Sequence, residues 1–192
     1  KSRKNIYLIS NTSNLGFGKA INNFLNEYGI YKSITLVNPD ILEINLIAFP
    51  KCVDFFLESD DNYFQPKIID NKRKELSIQG LKNITNLNVV MHYTLFKYFF
   101  KRKTISVSNL KKNILTDVYI PSAAFLTIKM DSLIKIGGFP SDTFLYFEEW
   151  LLANKIKKAG YSNFGYIDSS IKVNHLVGGT TKLRFGIANF KM

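Results

Sequence analysis

The chain has 192 residues, 46% of them hydrophobic, enough to bury a sizeable core as one domain. Lys and Arg number 26 against 15 Asp and Glu, and the formal charge of +11 points to an anionic partner: a nucleotide or sugar phosphate, an acidic membrane leaflet, or nucleic acid. The single cysteine, Cys52, excludes an internal disulfide and a multi-cysteine zinc site and fits a reducing compartment, and no apolar run approaches the length of a membrane span.

Residues 5–9 (N-I-Y-L-I) form a short β-like run. Over residues 14–28, Phe17, Ile21, Phe24, Leu25 and Tyr28 recur at helical spacing, and Gly29 is a natural stop. Residues 33–37 (S-I-T-L-V) are again β-like and end abruptly in Asn38-Pro39-Asp40, so strand, helix and strand follow the βαβ grammar of a parallel α/β sheet. Pro50 precedes an expected helix over 52–58, and a turn at 60–62 leads into an expected strand over 63–69. Pro66 pushes that strand toward an edge or an end of the sheet.

Residues 71–117 read as a variable, helical, basic and aromatic segment. Within them, residues 92–103 (H-Y-T-L-F-K-Y-F-F-K-R-K) fit either a membrane interface or a helix that covers the sheet with its lysines snorkelling at one end. A strand is expected over 123–129, and Asp131 is the expected N-cap of a short helix ending at Gly137-Gly138. A second helix opens on Glu148-Glu149, carries Leu152, Ile156 and Ala159 at helical spacing, places Lys155, Lys157 and Lys158 in its last turn, and stops at Gly160. Short β-like segments at 165–167 and 171–173 lead to His175, and residues 182–192 form a basic tail.

Four places could carry chemistry. The loop N-T-S-N-L-G-F-G follows one strand and opens a helix; Gly16 and Gly18 permit close backbone approach, and Asn14 and Asn22 offer amides, which suits either a bound nucleotide or sugar, or tight packing. It matches neither the dinucleotide fingerprint nor a P-loop. Asp40, at the end of a strand, is placed to ligate Mg²⁺ or Mn²⁺, while Asn-Pro-Asp is equally a plain turn. Glu148 and Glu149 suit a general base, a metal ligand or a hydroxyl contact, or simply complement the helix dipole. His175 suits a metal or diphosphate contact, or a structural role.

Taken in order, N-L-G-F-G-K-A-I-N, L-V-N-P-D, Q-P-K-I-I-D, G-G-F-P-S-D-T-F-L-Y-F-E-E and a late His strongly resemble the family 2 glycosyltransferases, and within them the rhamnosyltransferase-like enzymes of bacterial surface polysaccharide synthesis. The resemblance covers residues of about 5–70 and 118–181. It implies a GT-A (Rossmann-like) α/β fold with a mixed, mostly parallel sheet flanked by helices, in a single domain over 1–181. It also implies an inverting transfer of a sugar, for which rhamnose is one candidate, from a nucleotide-sugar donor to a glycan or lipid-linked acceptor.

Carried over by motif, Asn38 and Asp40 stand at the D-x-D-type element, with Asp40 at a Mg²⁺ or Mn²⁺ ion and at the donor diphosphate. Asn14, Gly16, Phe17, Gly18 and Asn22 match the segment that shapes the donor pocket. Glu149 matches the catalytic base, Glu148 its hydroxyl-binding neighbour, and His175 a late ligand at the metal or diphosphate. The chain departs from the pattern in having Glu149 for the commoner Asp and Pro140-Ser141 for an acidic pair. Nothing before Asn5 supplies the family's opening nucleotide-binding strands, so its first βα units are expected to be missing and the chain alone to bind nucleotide sugar poorly and be inactive. The competing expectation is a non-catalytic or degenerate binding module of the same fold. The expected location is cytoplasmic, peripheral at the inner membrane face through residues 92–103. No nucleic-acid motif accompanies the positive charge.

Overall fold

The apolar spacing of the helices and the β-branched, aromatic runs of the strands resolve into an open six-stranded mixed sheet with helices on both faces. This arrangement is compatible with a Rossmann-like fold. The structure, a computed structural model, describes residues 8–28, 31–42, 47–70, 115–144, 147–162 and 164–176. The strands are β1 (Ser33–Val37), β2 (Ile41–Leu42), β3 (Tyr63–Asp70), β4 (Leu115–Val118), β5 (Phe125–Lys129) and β6 (Gly165–His175). The helices are α1 (Phe17–Tyr28), α2 (Phe49–Glu58), α3 (Met130–Lys135) and α4 (Glu148–Lys158). The sheet order is β1-β5-β3-β6-β2, with β4 also on β6.

The expectation of a mostly parallel sheet is corrected. Among the described pairings only β3 with β6 is parallel; β1 with β5, β3 with β5, β2 with β6 and β4 with β6 are antiparallel. The reason is long-range: β5, from late in the chain, inserts between β1 and β3 and reverses the local direction. Because β5 runs against both neighbours, β1, β3 and β6 still point the same way, and their carboxyl ends share one end of the sheet.

Pro66 lies inside β3, not at an edge of the sheet. Its strand pairs with β5 only at Tyr63 and Phe64, so no β5 partner is missed where the proline lacks its N–H. Directly after Pro66 the β6 register jumps from Asp168 to Lys172, so residues 169–171 bulge and the two expected β-like segments are one interrupted strand. Leu8 and Ile9, from the expected first strand, are irregular and exposed. The expected cap at Asp131 is also corrected. β5 passes into α3 without a loop, so Lys129 is the N-cap and Asp131 falls in the first turn. Residues 92–103, 182–192 and nearly all of 71–117 lie outside the described residues.

Alternation along the strands sends successive side chains to opposite faces. On one face Leu126, Ile128 and Ile167 pack with Ile21 of α1, Leu133 of α3, and Leu152 and Ile156 of α4. On the other, Phe64 and Tyr166 stack at 5.7 Å, and Phe56 of α2 lies 5.0 Å from Phe64. Each such fully buried side chain contributes about 1.5–3 kcal/mol. Cys52 belongs to this second core. Its thiol lies 3.8 Å from the Ser170 hydroxyl, and burial, aided by Asp168, pushes it up to about 11, so it is an unionised packing group.

Candidate functional site

The carboxyl ends of β1 and β6 place Asp40 and His175 together. After β1, the Asn38 N–H donates to the Ala124 carbonyl at 2.9 Å and the Ile41 N–H to the Asn38 carbonyl at 3.1 Å, which closes Asn38-Pro39-Asp40 into a tight turn. β2 then pairs Ile41 with His175, and the Leu176 N–H donates to the Asp40 carbonyl at 3.0 Å. In that frame His175 Nε2 lies 3.2 Å from Asp40 Oδ1, with the two side chains only 14% and 20% exposed. The approach lacks hydrogen-bond alignment: Asp40 Oδ1 and His175 Nδ1 are both buried and have no hydrogen-bond partner. Asp40 Oδ1 faces His175 Nε2, whereas Nδ1, the other ring nitrogen, is left buried without a partner, at a cost of about 1–3 kcal/mol.

The two glutamates open α4 as expected. Glu149 Oε1 accepts from the Ala123 N–H at 3.3 Å, and Glu148 is 4% exposed with Oε1 unpartnered. Burial pushes the Glu149 carboxyl above the usual carboxylate range. Its own backbone N–H and that of Ala123 partly counter this, and the neighbouring Glu148 charge adds to it. Phe147, just before the pair, has φ of 70°. An aromatic side chain in the left-handed region is a strained position that surrounding structure has to enforce.

Residues 122–124 connect these groups, a role not visible in the sequence. The Ser122 N–H donates to Gln65 Oε1 at 2.7 Å, the Ala123 N–H to Glu149, and the Ala124 carbonyl accepts from Asn38. Three consecutive residues immediately before β5 thus tie β3, the head of α4 and the Asn-Pro-Asp turn to the same end of the sheet. Gln65 is fully buried, with Nε2 unpartnered. Its only sequence signal was a lone amide inside an apolar strand.

In the Asn-Leu-Gly-Phe-Gly segment, the residues expected to shape a donor pocket make contacts within the protein. The Gly16 N–H donates to Asn14 Oδ1 at 3.1 Å in an exposed turn. The Phe17 ring meets Phe139 edge-on at 5.6 Å as part of the core. The Asn22 amide is committed to one backbone unit: Nδ2 donates to the Phe139 carbonyl at 2.8 Å and Oδ1 accepts the Phe139 N–H at 2.7 Å. Gly18 abuts Pro140 so closely that a Cβ there would stand 1.9 Å from the Pro140 carbonyl oxygen. Tight packing, the alternative open to this loop, is what the structure displays. A groove of about 400 Å³ between α1 and α3, lined by Leu25, Met130 and Ile134 among others, includes Asn22 but neither Asp40, His175 nor the glutamates.

Asp40 and His175 offer two donor groups, fewer than a full coordination shell. No cluster of three or more His, Cys, Asp or Glu side chains is found among the described residues. Among those residues no helix is long and apolar enough to cross a membrane. A scan against protein-family models gave no match, and a search of curated proteins gave none either.

Proposed function

We propose that the chain is a GT-A-type domain of an inverting family 2 glycosyltransferase. It would transfer a sugar from a nucleotide-sugar donor to a glycan or lipid-linked acceptor of cell-surface polysaccharide at the cytoplasmic membrane face. The observation that supports this most is the meeting of Asp40 and His175 at 3.2 Å, at the strand end where the base candidate Glu149 is also anchored. Ligands of open α/β sheets bind at that end.

The donor set fits a divalent cation that still needs oxygen ligands from a substrate. Asp40 offers a hard carboxylate oxygen and His175 an imidazole nitrogen, which inclines the pair toward Mn²⁺ over Mg²⁺. When bound, such an ion neutralises charge on a diphosphate leaving group. The remaining chemistry belongs to Glu149. The acceptor hydroxyl oxygen forms the new bond to the anomeric carbon, the bond to the diphosphate oxygen breaks with its electron pair leaving on the diphosphate, and the hydroxyl proton passes to Glu149. A carboxylate raised by burial is better matched to that proton than an ordinary one. Glu148, buried beside it, offers an acceptor for a sugar hydroxyl.

The test is incubation of the longest natural form of the protein with Mn²⁺, glycan acceptors and a panel of nucleotide sugars. Mn²⁺-dependent release of a nucleoside diphosphate is expected, falling at least about 100-fold in Asp40→Ala. Unchanged turnover in that variant contradicts the assignment. Donor binding without turnover would identify the competing non-catalytic module.

A further inference from the structure

The glycines and asparagine of α1 converge on a single target, the loop that runs into Glu148-Glu149. Asn22 grips both polar groups of the Phe139 backbone, at 2.8 and 2.7 Å. Gly18 leaves room for the Pro140 carbonyl, where a Cβ would stand 1.9 Å away, and Gly16, at φ of 78°, leaves room for the Phe144 carbonyl, where a Cβ would stand 2.8 Å away. The Phe139 side chain, 1% exposed, is wedged against Phe17 and shares a core with Ile21 of α1 and Leu152 and Ile156 of α4. The loop is therefore held at three successive points, by residues at positions 16, 18 and 22 of one helix and its entry, just before the glutamates begin α4.

We propose that α1 is a positioning clamp for the base: Asn22, Gly18 and Gly16 fix the 139–144 loop and thereby hold Glu149 in its dry seat against Ala123. This rests on the reading of Glu149 as the base. Asn22 is accordingly a positioning residue that touches no substrate. An Asn and two Gly at this spacing suit a ligand loop and a backbone clamp equally well from sequence. The bidentate amide decides for the clamp, because an amide whose oxygen and nitrogen both serve Phe139 has little left for a donor sugar. Releasing the loop would admit water around Glu149, whose carboxyl stands high mainly through burial with Glu148 beside it.

The test needs neither donor nor turnover, so it is separable from the transferase assignment. Hydrogen exchange and carboxyl ¹³C titration of Glu149 are compared in the parent, Asn22→Ala, Asn22→Asp and the control Asn26→Ala, which alters an exposed asparagine one turn further on α1. In Asn22→Ala, amides at the head of α4 are expected to exchange about tenfold or more faster, with β3 and β6 unchanged. The Glu149 midpoint is expected to fall toward the ordinary carboxylate range. Asn22→Asp, which keeps only the acceptor for Phe139, should lie between parent and alanine variant and serves alone if the alanine variant fails to fold. Faster exchange confined to 137–141 with an unmoved Glu149 titration overturns the proposal, as does an equal effect in Asn26→Ala.

Discussion

Glu149→Gln is expected to reduce sugar transfer about 10²–10⁴-fold, the usual contribution of a positioned general base, while the fold becomes more stable at neutral pH. The glutamine keeps an oxygen for the Ala123 N–H and nearly the same volume, so the seat survives and only the proton acceptor is lost. The stability gain follows from the direction of the carboxyl's displacement. Its folded pKa lies above its unfolded one, so ionisation disfavours the fold. That penalty is absent below the unfolded value of about 4.3, grows as pH rises through the folded value, and is complete above it. Thermal melts of parent and variant should therefore converge in acid and separate toward pH 7, with the variant higher. The same displacement places the acidic limb of the parent's rate profile above the ordinary carboxylate range. A variant that transfers sugar at the parental rate would remove Glu149 from the mechanism.

Leu152→Ala is expected to cost about 2–5 kcal/mol, the range for truncating a fully buried leucine. Leu152 is completely buried, on the same face of α4 as Ile156, and packs into the core that also receives Phe139. The cavity would open under the helix that carries the glutamates. For a chain of this size each kcal/mol shifts the melting temperature by about 2–4 °C, so a fall of several degrees to well over ten is expected in a thermal scan. Leu42→Ala, at a leucine 39% exposed, should cost far less; equal losses at both sites would contradict the packing described for α4.

Much of the local structure was legible because it is periodic. Residues 33–37 and the helix opening at Glu148 fall where the sequence placed them, since alternation and helical spacing report which face is buried. The direction of the sheet was not legible. The βαβ grammar describes neighbours in the chain, and β5 inserts between β1 and β3 from about sixty residues beyond β3's start. The Asp131 cap was misplaced because a strand that runs straight into a helix leaves no loop for the usual cap to occupy. In the site, Asp40 and His175 were found separately as polar residues at strand ends, and the structure brings them together. For Asn22 the sequence leaves the partner open: an amide offers the same donor and acceptor to a sugar as to a peptide unit, and in the structure it pairs with the Phe139 backbone.

The pairing of Asp40 with His175 is the centre of the proposed site. Titrating Mn²⁺ into the protein while following the His175 imidazole resonances and free Mn²⁺ by electron paramagnetic resonance examines that pairing without reference to any sugar. Saturable binding is expected, with selective broadening of His175 and loss of the bound signal in both Asp40→Ala and His175→Ala. Broadening that spares His175, or binding that survives both substitutions, would contradict it.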